Sequence, residues 1–168
     1  MNNFPHDHIV KSYDEEQRRI AAEILHMGEI AVAQLEAALD VVERRDDRAA
    51  ERIIANDEAI DTLEDKVSHD VMQLALRGPM ARDLRVILAA LRIPNDIERI
   101  GDYASNVAKR SMALNMLPPV PHATGLRSLG QLAAELVRDA MAAYRDQDAQ
   151  LALEVRDRDA ELDAMYTS

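Results

Sequence analysis

An internal repeat constrains the fold of this chain more strongly than any other feature of its sequence. A shift of 102 residues carries Ile60 and Asp61 onto Leu162 and Asp163. The same shift places Met27-Gly28 on Leu129-Gly130, Leu35 on Val137, Leu39 on Met141, Val42 on Tyr144, Asp46 on Asp148, Ile53 on Val155 and Asp57 on Asp159. Apolar agreement is common between any two amphipathic helices, whereas agreement of the glycine and the aspartates is not. We therefore infer two related units, of which the second is shorter.

Both units show the periodicity of amphipathic helices, because apolar residues recur three and four positions apart. Aromatic residues make up only 3% of the chain, and glycine and proline are few, which favours an all-α fold. A capping box at Ser12-x-x-Glu15 predicts the start of the first helix, which is expected to end near residues 44–47. Pro94 lies inside the pattern of the third helix and predicts a kink rather than a break.

The remaining boundaries follow from turn residues and aspartates. Gly78-Pro79 predicts the end of the second helix, the third is expected to begin near Ala81, and the fifth near Asp148. The apolar pattern consists of Ile20, Ile24, Met27, Ala31, Leu35, Ala38 and Val42; Ile53, Ile60, Leu63, Val67, Val71 and Leu74; Leu84, Ile87, Leu88, Leu91, Ile93, Ile97, Ile100, Ala104 and Val107; Leu129, Leu132, Leu136, Val137, Ala140, Met141 and Tyr144; and Leu151, Val155, Leu162 and Met165.

These elements predict tandem three-helix bundles, the first complete and the second lacking its last helix. Residues 12–116 are assigned to the first bundle, 117–125 to a linker with three prolines and one glycine, and 126–168 to the incomplete second bundle. Two helices cannot surround their own apolar stripes. Partial exposure of about half a dozen such side chains forfeits on the order of 10 kcal/mol of burial. We expect the second unit to pack on the first, to self-associate or to be poorly ordered, and the chain to be either a fragment or the product of a shortened gene.

Charge and composition exclude several functions. The net charge of −11 argues against nucleic-acid binding and against unassisted binding of free phosphate. The chain contains no cysteine, which excludes disulfides, thiolate metal sites and cysteine nucleophiles. The first residues lack the apolar core of a signal peptide, and no apolar run approaches the length of a membrane span. We expect a soluble protein that is not exported by the usual signal.

Paired carboxylates form the main candidate site. Asp57 and Asp61 lie one turn apart on the second helix, and Glu98 and Asp102 lie one turn apart on the third. Because these helices are predicted to be adjacent and antiparallel, the two pairs can converge on one rim. Four oxygen ligands suit a hard cation or several bridged cations. A solvated acidic face is the alternative, and it remains open.

Enzymatic motifs are missing. A ferritin-like di-iron site needs a Glu-x-x-His motif on each of two helices, and Glu23-x-x-His26 has no second copy because the repeat places Ser128 at the position of His26. The chain also lacks a glycine-rich phosphate loop and the G-x-S-x-G and H-E-x-x-H motifs. We predict no enzymatic activity.

Two further clusters have both a functional and a structural interpretation. The run from Pro79 to Arg85 is either a contact surface or a structural element. In the structural interpretation, which is favoured, Asp83 stabilises a helix N-terminus and Met80 covers the end of the bundle. His6 and His8 flank Asp7 in a spacing seen in adventitious metal binding, although a loose terminus explains them more simply.

The assembled motifs resemble the PhoU family of bacterial phosphate-transport and phosphate-signalling regulators. The resemblance is carried by YDEE at 13–16, DEAID at 57–61, PMARDLR at 79–85 and LRIPNDIERIGD at 91–102, and it covers nearly all of the chain. It implies two three-helix bundles with multinuclear iron or zinc clusters, with Mg or Mn as other candidates, bound through E/D-x-x-x-D motifs. By position, the metal ligands it implies are Asp57, Asp61, Glu98, Asp102, Asp159 and Asp163. The helix-6 partner of the last two is absent from the sequence, which puts that second site in doubt.

The resemblance also implies a cellular role. Members of this family are non-enzymatic cytoplasmic proteins, often homodimers, that restrain the phosphate-starvation response through a membrane histidine kinase and the ATPase subunit of a phosphate ABC transporter. They approach the membrane only through these partners. The leading hypothesis is an adaptor of this kind, in which metal neutralises the clustered carboxylates and shapes the partner surface. A metal-free helical interaction module is the alternative, and a di-iron oxidase-like bundle is disfavoured by the single Glu-x-x-His motif.

Overall fold

A computed structural model describes residues 5–77, 84–118 and 124–167 of the chain. Its helices are α1 (Pro5–Arg44), α2 (Asp47–Ala75), α3 (Leu84–Asn115), α4 (Thr124–Asp146) and α5 (Ala149–Thr167). These ranges contain no strand, and the all-α prediction is confirmed. Within the same ranges, no helix combines the length and the apolar character that a membrane crossing requires.

The first three helices pack on one another as a three-helix bundle. Its main core cluster is built from Ile20, Ile24, Met27 and Ala31 of α1, Ile60, Val67, Val71 and Leu74 of α2, and Ile87, Ala90 and Ile97 of α3. A second cluster around Ala38, Ile53 and Ala104 closes the end of the bundle near the α1–α2 connection. Burial of these apolar side chains is the dominant stabilising term. The bundle therefore holds α2 and α3 side by side.

The face of α3 that meets the bundle is made mostly of small residues. Ile87, Ala90, Pro94, Ile97, Gly101, Ala104, Ser105, Ala108 and Ser111 are buried. The helix runs unbroken through Pro94, which confirms the predicted continuity, whereas the kink there stays a prediction. Leu84 and Leu88 belong to the apolar pattern of the sequence but are 49% and 52% exposed. The buried stripe follows the small residues because they allow close contact between the helices.

Two predicted helix boundaries are wrong. The first helix begins at Pro5, seven residues before the capping box at Ser12, which lies within α1. Proline is favoured at the first helical position because its missing N–H has no intrahelical partner there. The fourth helix begins at Thr124, inside the segment predicted as linker. The described part of the chain does not include the side chains of His6 and His8, or residues 79–83 of the Pro79–Arg85 run. The division of the chain into domains at residues 116 and 125 stays a prediction.

The two helix connections confirm the repeat. Arg45 after α1 and Gln147 after α4 hold the same repeat position, and both have positive φ, 55° and 53°. The next residue caps the following helix in each case. Asp46 accepts from the Ala49 N–H, and Asp148 accepts from the N–H groups of Gln150 and Leu151. The same local design therefore turns the chain twice.

The α1–α4 contact has approximate two-fold symmetry under the repeat. A methyl group at Gly28 would lie 2.7 Å from Met141 Cε, and one at Gly130 would lie 2.4 Å from Leu39 Cδ2. The repeat relates Gly28 to Gly130 and Leu39 to Met141, so each half of the interface repeats the other. Two equivalent positions, Glu36 and Arg138, form an ion pair with each other. Because equivalent residues touch each other here, the pseudo-two-fold axis passes close to them. The second unit therefore packs on the first through α4, which is one of the three outcomes expected from the sequence.

The last helix is the least enclosed element. Of the helices described, only α4 contacts α5, and α5 contains no buried residue. Leu151, Val155 and Leu162 are half-buried, as an inward face in an incomplete bundle predicts. Met165, predicted to face inward, is 40% exposed, because no third helix covers that side of α5 among the described residues. The second bundle therefore lacks its last helix in the described structure.

Candidate functional site

A close approach of α2 and α3 defines the candidate site. A methyl group at Gly101 would lie 2.7 Å from Ile60 Cδ1 and 3.6 Å from Asp57 Oδ1. Gly101 is buried, and the lack of a side chain at this position lets the two helices come together. The outward faces on either side of this contact carry the predicted carboxylate pairs.

The structure brings all four carboxylates of the first bundle to one rim, which we call the carboxylate rim and define as Asp57, Asp61, Glu98 and Asp102. Asp57 and Glu98 are half-buried, whereas Asp61 and Asp102 are exposed. Loss of solvating water raises the pKa of Asp61, and repulsion from Asp57 and Asp102 raises it further. Loss of solvation also raises the pKa of Glu98, with added repulsion from Asp102 and Asp61. Like charges therefore act on one another across the helix pair.

Within the described part of the chain, the rim carries uncompensated negative charge. None of its four members forms an ion pair with a Lys or Arg of the described residues. Asp65 and Glu64 add further negative charge nearby, since they contribute to the raised pKa values of Asp61 and Glu98, respectively. Such a surface attracts cations, whether a metal ion or a basic side chain.

The rim is not a preassembled metal site. Among the described residues, no group of three or more His, Asp or Glu side chains is arranged so that it could hold a metal ion. His26 and His69 are exposed helix residues. The donors on the rim are therefore carboxylate oxygens, which suit a hard cation better than zinc or iron held by imidazole.

The second-unit motif has a different setting. Asp159 and Asp163 are exposed on α5, which packs only against α4 in the described structure. Their neighbour Arg158 pairs with Asp139 and Glu135 of α4. The structure does not bring Asp159 and Asp163 together with the carboxylates of the first bundle.

One polar residue beneath the rim was not singled out from the sequence. Gln34 of α1 is buried, and its Nε2 donates a hydrogen bond to the Asn56 carbonyl of α2 at 3.0 Å. Its Oε1 lies 3.6 Å from a methyl group placed at Gly101 and finds no hydrogen-bond partner among the residues that the structure describes. A glutamine between Ala31 and Ala38 in the apolar stripe is the sequence signal that identifies it.

Comparison with known families and proteins gives consistent matches. A family profile described as the PhoU domain matches residues 24–111 and 126–168. The phosphate-specific transport system accessory protein PhoU homolog of Xylella fastidiosa (strain 9a5c) is 67% identical over 168 residues, all of this chain and 71% of that protein. The protein of the same name from Caulobacter vibrioides (strain NA1000 / CB15N) is 38% identical over 164 residues, 96% of this chain and 71% of that protein.

Solved structures match at the level of the fold as well. The crystal structure of PhoU from Pseudomonas aeruginosa superposes with a TM-score of 0.89 at 29% identity, covering 92% of this chain and 75% of that one. The phosphate transport system regulatory protein PhoU from Streptococcus pneumoniae superposes with a TM-score of 0.84 at 25% identity, covering 92% of this chain and 73% of that one.

Proposed function

The chain belongs to the PhoU family, and we propose from this membership that it acts as a non-enzymatic accessory regulator of phosphate-specific transport. The observation that carries the proposal is the 67% identity over the whole chain to a phosphate-specific transport system accessory protein. The TM-score of 0.89 to a solved PhoU structure supports it independently at the level of the fold.

The finer role we propose is that of an adaptor between the ATPase subunit of a phosphate ABC transporter and a phosphate-sensing histidine kinase in the cytoplasm. An adaptor needs exposed surfaces with distinct chemistry rather than a catalytic pocket. The carboxylate rim and the exposed apolar side chains at the ends of α2 and α3 provide such surfaces. Self-association as a homodimer belongs to the same proposal.

A complementation experiment tests this role. The chain is expressed in a bacterium from which the resident PhoU protein has been deleted, and a reporter of the phosphate-starvation response is measured in high phosphate. We expect the chain to restore repression of the reporter, with the Xylella fastidiosa relative as positive control. A reporter that stays active while the chain accumulates to the level of that relative contradicts the proposal.

We also propose that the carboxylate rim binds a metal cation. Asp57, Asp61, Glu98 and Asp102 would hold it through oxygen, and a divalent cation there would neutralise charge and fix α2 against α3. Uncompensated charge and raised carboxylate pKa values support this assignment. The group we propose is a multinuclear iron or zinc cluster bridged by carboxylates, with Mg or Mn as other candidates for this all-oxygen donor set. Asp159 and Asp163 are weaker candidates because they lack a partner pair on another described helix.

Measuring the metal content of variants tests whether metal binds at the carboxylate rim or at Asp159 and Asp163. After anaerobic purification, the wild-type chain and the Asp159→Ala/Asp163→Ala variant should contain metal, and the Glu98→Ala/Asp102→Ala variant should contain little. Equal, near-zero metal in all three proteins contradicts the proposal.

A metal-free helical interaction module is the second candidate function. It is favoured by the lack of any preassembled group of three metal-binding side chains in the described ranges. A ligand that binds only the folded state raises Tm. Under this alternative, adding Mg, Mn, iron or zinc leaves the Tm of the wild-type chain unchanged.

A further inference from the structure

Four large apolar side chains lie exposed at the ends of α2 and α3. They are Met72 of α2, Leu76 directly after its last residue, and Leu84 and Leu88 of α3, with 54%, 77%, 49% and 52% of their surface exposed. We call them the apolar strip. Clustered apolar exposure of this kind marks interaction sites more often than isolated exposed leucines do.

The register of the two helices makes the strip continuous. The close approach of Ile60 in α2 to Gly101 in α3 sets the antiparallel register of the two helices. Nearer the helix ends, Val71 and Leu74 of α2 and Ile87 and Ala90 of α3 belong to the same core cluster. Extending this register toward the helix ends places Leu76 beside Leu84 and Met72 beside Leu88. Within each helix the two residues are four apart and therefore share one face.

The strip continues into the carboxylate rim. On α2, Asp61 and Asp65 precede Met72 and Leu76 by whole numbers of helical turns, so these four residues lie on one face. On α3, Glu98 and Asp102 follow Leu84 and Leu88 on the corresponding face. The outer surface of the α2–α3 pair is thus apolar near the helix ends and acidic toward its middle.

We propose that this surface binds an amphipathic helix of a partner protein, one that carries leucine-like side chains beside Lys or Arg residues. The apolar side chains of such a helix fit the strip, and in the metal-free chain its cations meet the carboxylates of the rim. Helix-in-groove recognition of this type uses apolar anchors at positions i, i+3, i+4 and i+7. The inference rests on the proposed adaptor role, which requires a protein partner.

Charge decides among the possible occupants. A second copy of this chain brings the same carboxylates and a net charge of −11. An anionic lipid surface is likewise repelled by the acidic half of the face. A basic amphipathic helix is attracted by the carboxylate rim and buries the apolar strip. It is therefore the occupant that both parts of the surface favour.

The test measures the binding of a defined peptide to the full chain. The probe is a fluorescent helical peptide of about 18 residues, or five turns, composed of Leu, Ala and Lys with one apolar face. One twin carries Glu for Lys, and another carries Ser for Leu. We expect the probe to bind and both twins to bind at least about tenfold more weakly, with binding of the probe weakened by salt.

Variants of the chain locate the binding surface. Leu76→Ser/Leu84→Ser should weaken peptide binding at least about tenfold, as removal of central apolar anchors does. Leu126→Ser/Leu153→Ser is the matched control, because these leucines are exposed to a similar extent, 49% and 46%, on other helices. Far-UV circular dichroism and Tm show that each variant is folded.

Several outcomes overturn the proposal. Equal binding of the peptide to wild type and to Leu76→Ser/Leu84→Ser does so, as does equal binding of the Glu twin. If Leu76→Ser/Leu84→Ser abolishes self-association in sedimentation, or binding to anionic vesicles, while the peptide never binds, another occupant covers the strip. The phosphate-response reporter is scored separately, so failure of this inference is distinguishable from failure of the proposed function.

Discussion

Gly101 determines how closely α2 can approach α3 at the carboxylate rim. A methyl group there would lie 2.7 Å from Ile60 Cδ1 and needs only a small shift of that flexible atom. A larger side chain would also have to displace Asp57 Oδ1 and Gln34 Oε1, which both lie 3.6 Å from the methyl position. We expect Gly101→Leu to lower the free energy of unfolding by about 2–3 kcal/mol through overpacking. Chemical denaturation measures the change. Gly125→Leu is the matched control because nothing lies within 4 Å of that position, and an equal loss in both variants contradicts the assignment.

Charge repulsion at the rim makes a prediction about pH. Asp61 and Glu98 have raised pKa values, so the folded chain binds protons more readily there than the unfolded chain does. Stability from this source is present at low pH and falls as pH rises past the ordinary values of 3.8 and 4.5. Without metal, Asp61→Asn/Glu98→Gln should therefore raise the free energy of unfolding at neutral pH by a few tenths of a kcal/mol per repulsive pair, and raise Tm with it.

The pH dependence of that gain identifies its source. Thermal melts should show the advantage of Asp61→Asn/Glu98→Gln shrinking toward about pH 4, where the wild-type carboxyls take up protons themselves. Asp159→Asn/Asp163→Asn, on the exposed face of α5, serves as the control and should gain less at neutral pH. A gain that is the same at both pH values would point to a cause other than charge.

At the scale of single residues, the sequence predicts the rim better than what lies beneath it. Helical periodicity and an antiparallel pair suffice to bring Asp57 and Asp61 toward Glu98 and Asp102, because both patterns depend only on regular geometry. The position of Gln34 depends on how α1 meets α2. That contact follows from side-chain packing across the bundle, which periodicity does not specify.

The residues that follow α1 and α4, Arg45 and Gln147, have the same backbone conformation but differ in their side-chain hydrogen bonds. The Arg45 Nη2 donates hydrogen bonds to the carbonyls of Asn115 and Leu117 at 2.8 and 2.6 Å, and a longer one to Leu114, so it caps the end of α3. Gln147 has the same positive φ, but no side-chain hydrogen bond of it is seen in the described structure. Substitutions at the two positions can therefore distinguish the cost of the left-handed backbone from the contribution of the capping hydrogen bonds.

Glycine substitutions at these positions should have opposite effects. Gln147→Gly keeps the left-handed backbone but removes its steric cost to an L-residue, about 1 kcal/mol, so it should be neutral or stabilising. Arg45→Gly gains the same relief but loses the capping hydrogen bonds and should destabilise by about 1–2 kcal/mol. Denaturant unfolding measures both, and hydrogen exchange should show faster opening at the C-terminal turn of α3 in Arg45→Gly alone. Equal effects of the two changes would exclude the capping role.

Whole elements were predictable where local signals and packing agree. The α5 start at Asp148 was found because an aspartate cap acts locally. The predicted α1 start at Ser12 is wrong, since a capping motif is compatible with the interior of a longer helix. The exposure of Leu84 and Leu88 was not predicted, because apolar spacing alone does not say which of two neighbouring stripes a bundle buries.

On the scale of the whole molecule, stability should decrease from the first unit to the last helix. The α1–α3 bundle holds the main core cluster, whereas α5 contains no buried residue and touches only α4 among the described helices. Local opening requires least free energy where few apolar contacts are lost. Native-state hydrogen exchange should therefore show α5 exchanging first and α2 and α3 last. Uniform protection across all five helices would contradict this order.

The α1–α4 interface should set whether the second unit stays attached. A side chain at Gly130 would collide with Leu39, whose Cδ2, Cδ1 and Cγ all lie within 3.0 Å of a methyl group there. Moving a single flexible atom cannot remove this collision, because three atoms of Leu39 take part in it. Gly130→Leu should therefore separate α4 from α1. Hydrogen exchange should then show loss of protection throughout α4 and α5, with α1–α3 unchanged and Gly125→Leu as control. Loss of protection in α2 and α3 as well would mean that the first bundle depends on α4, contrary to its separate core.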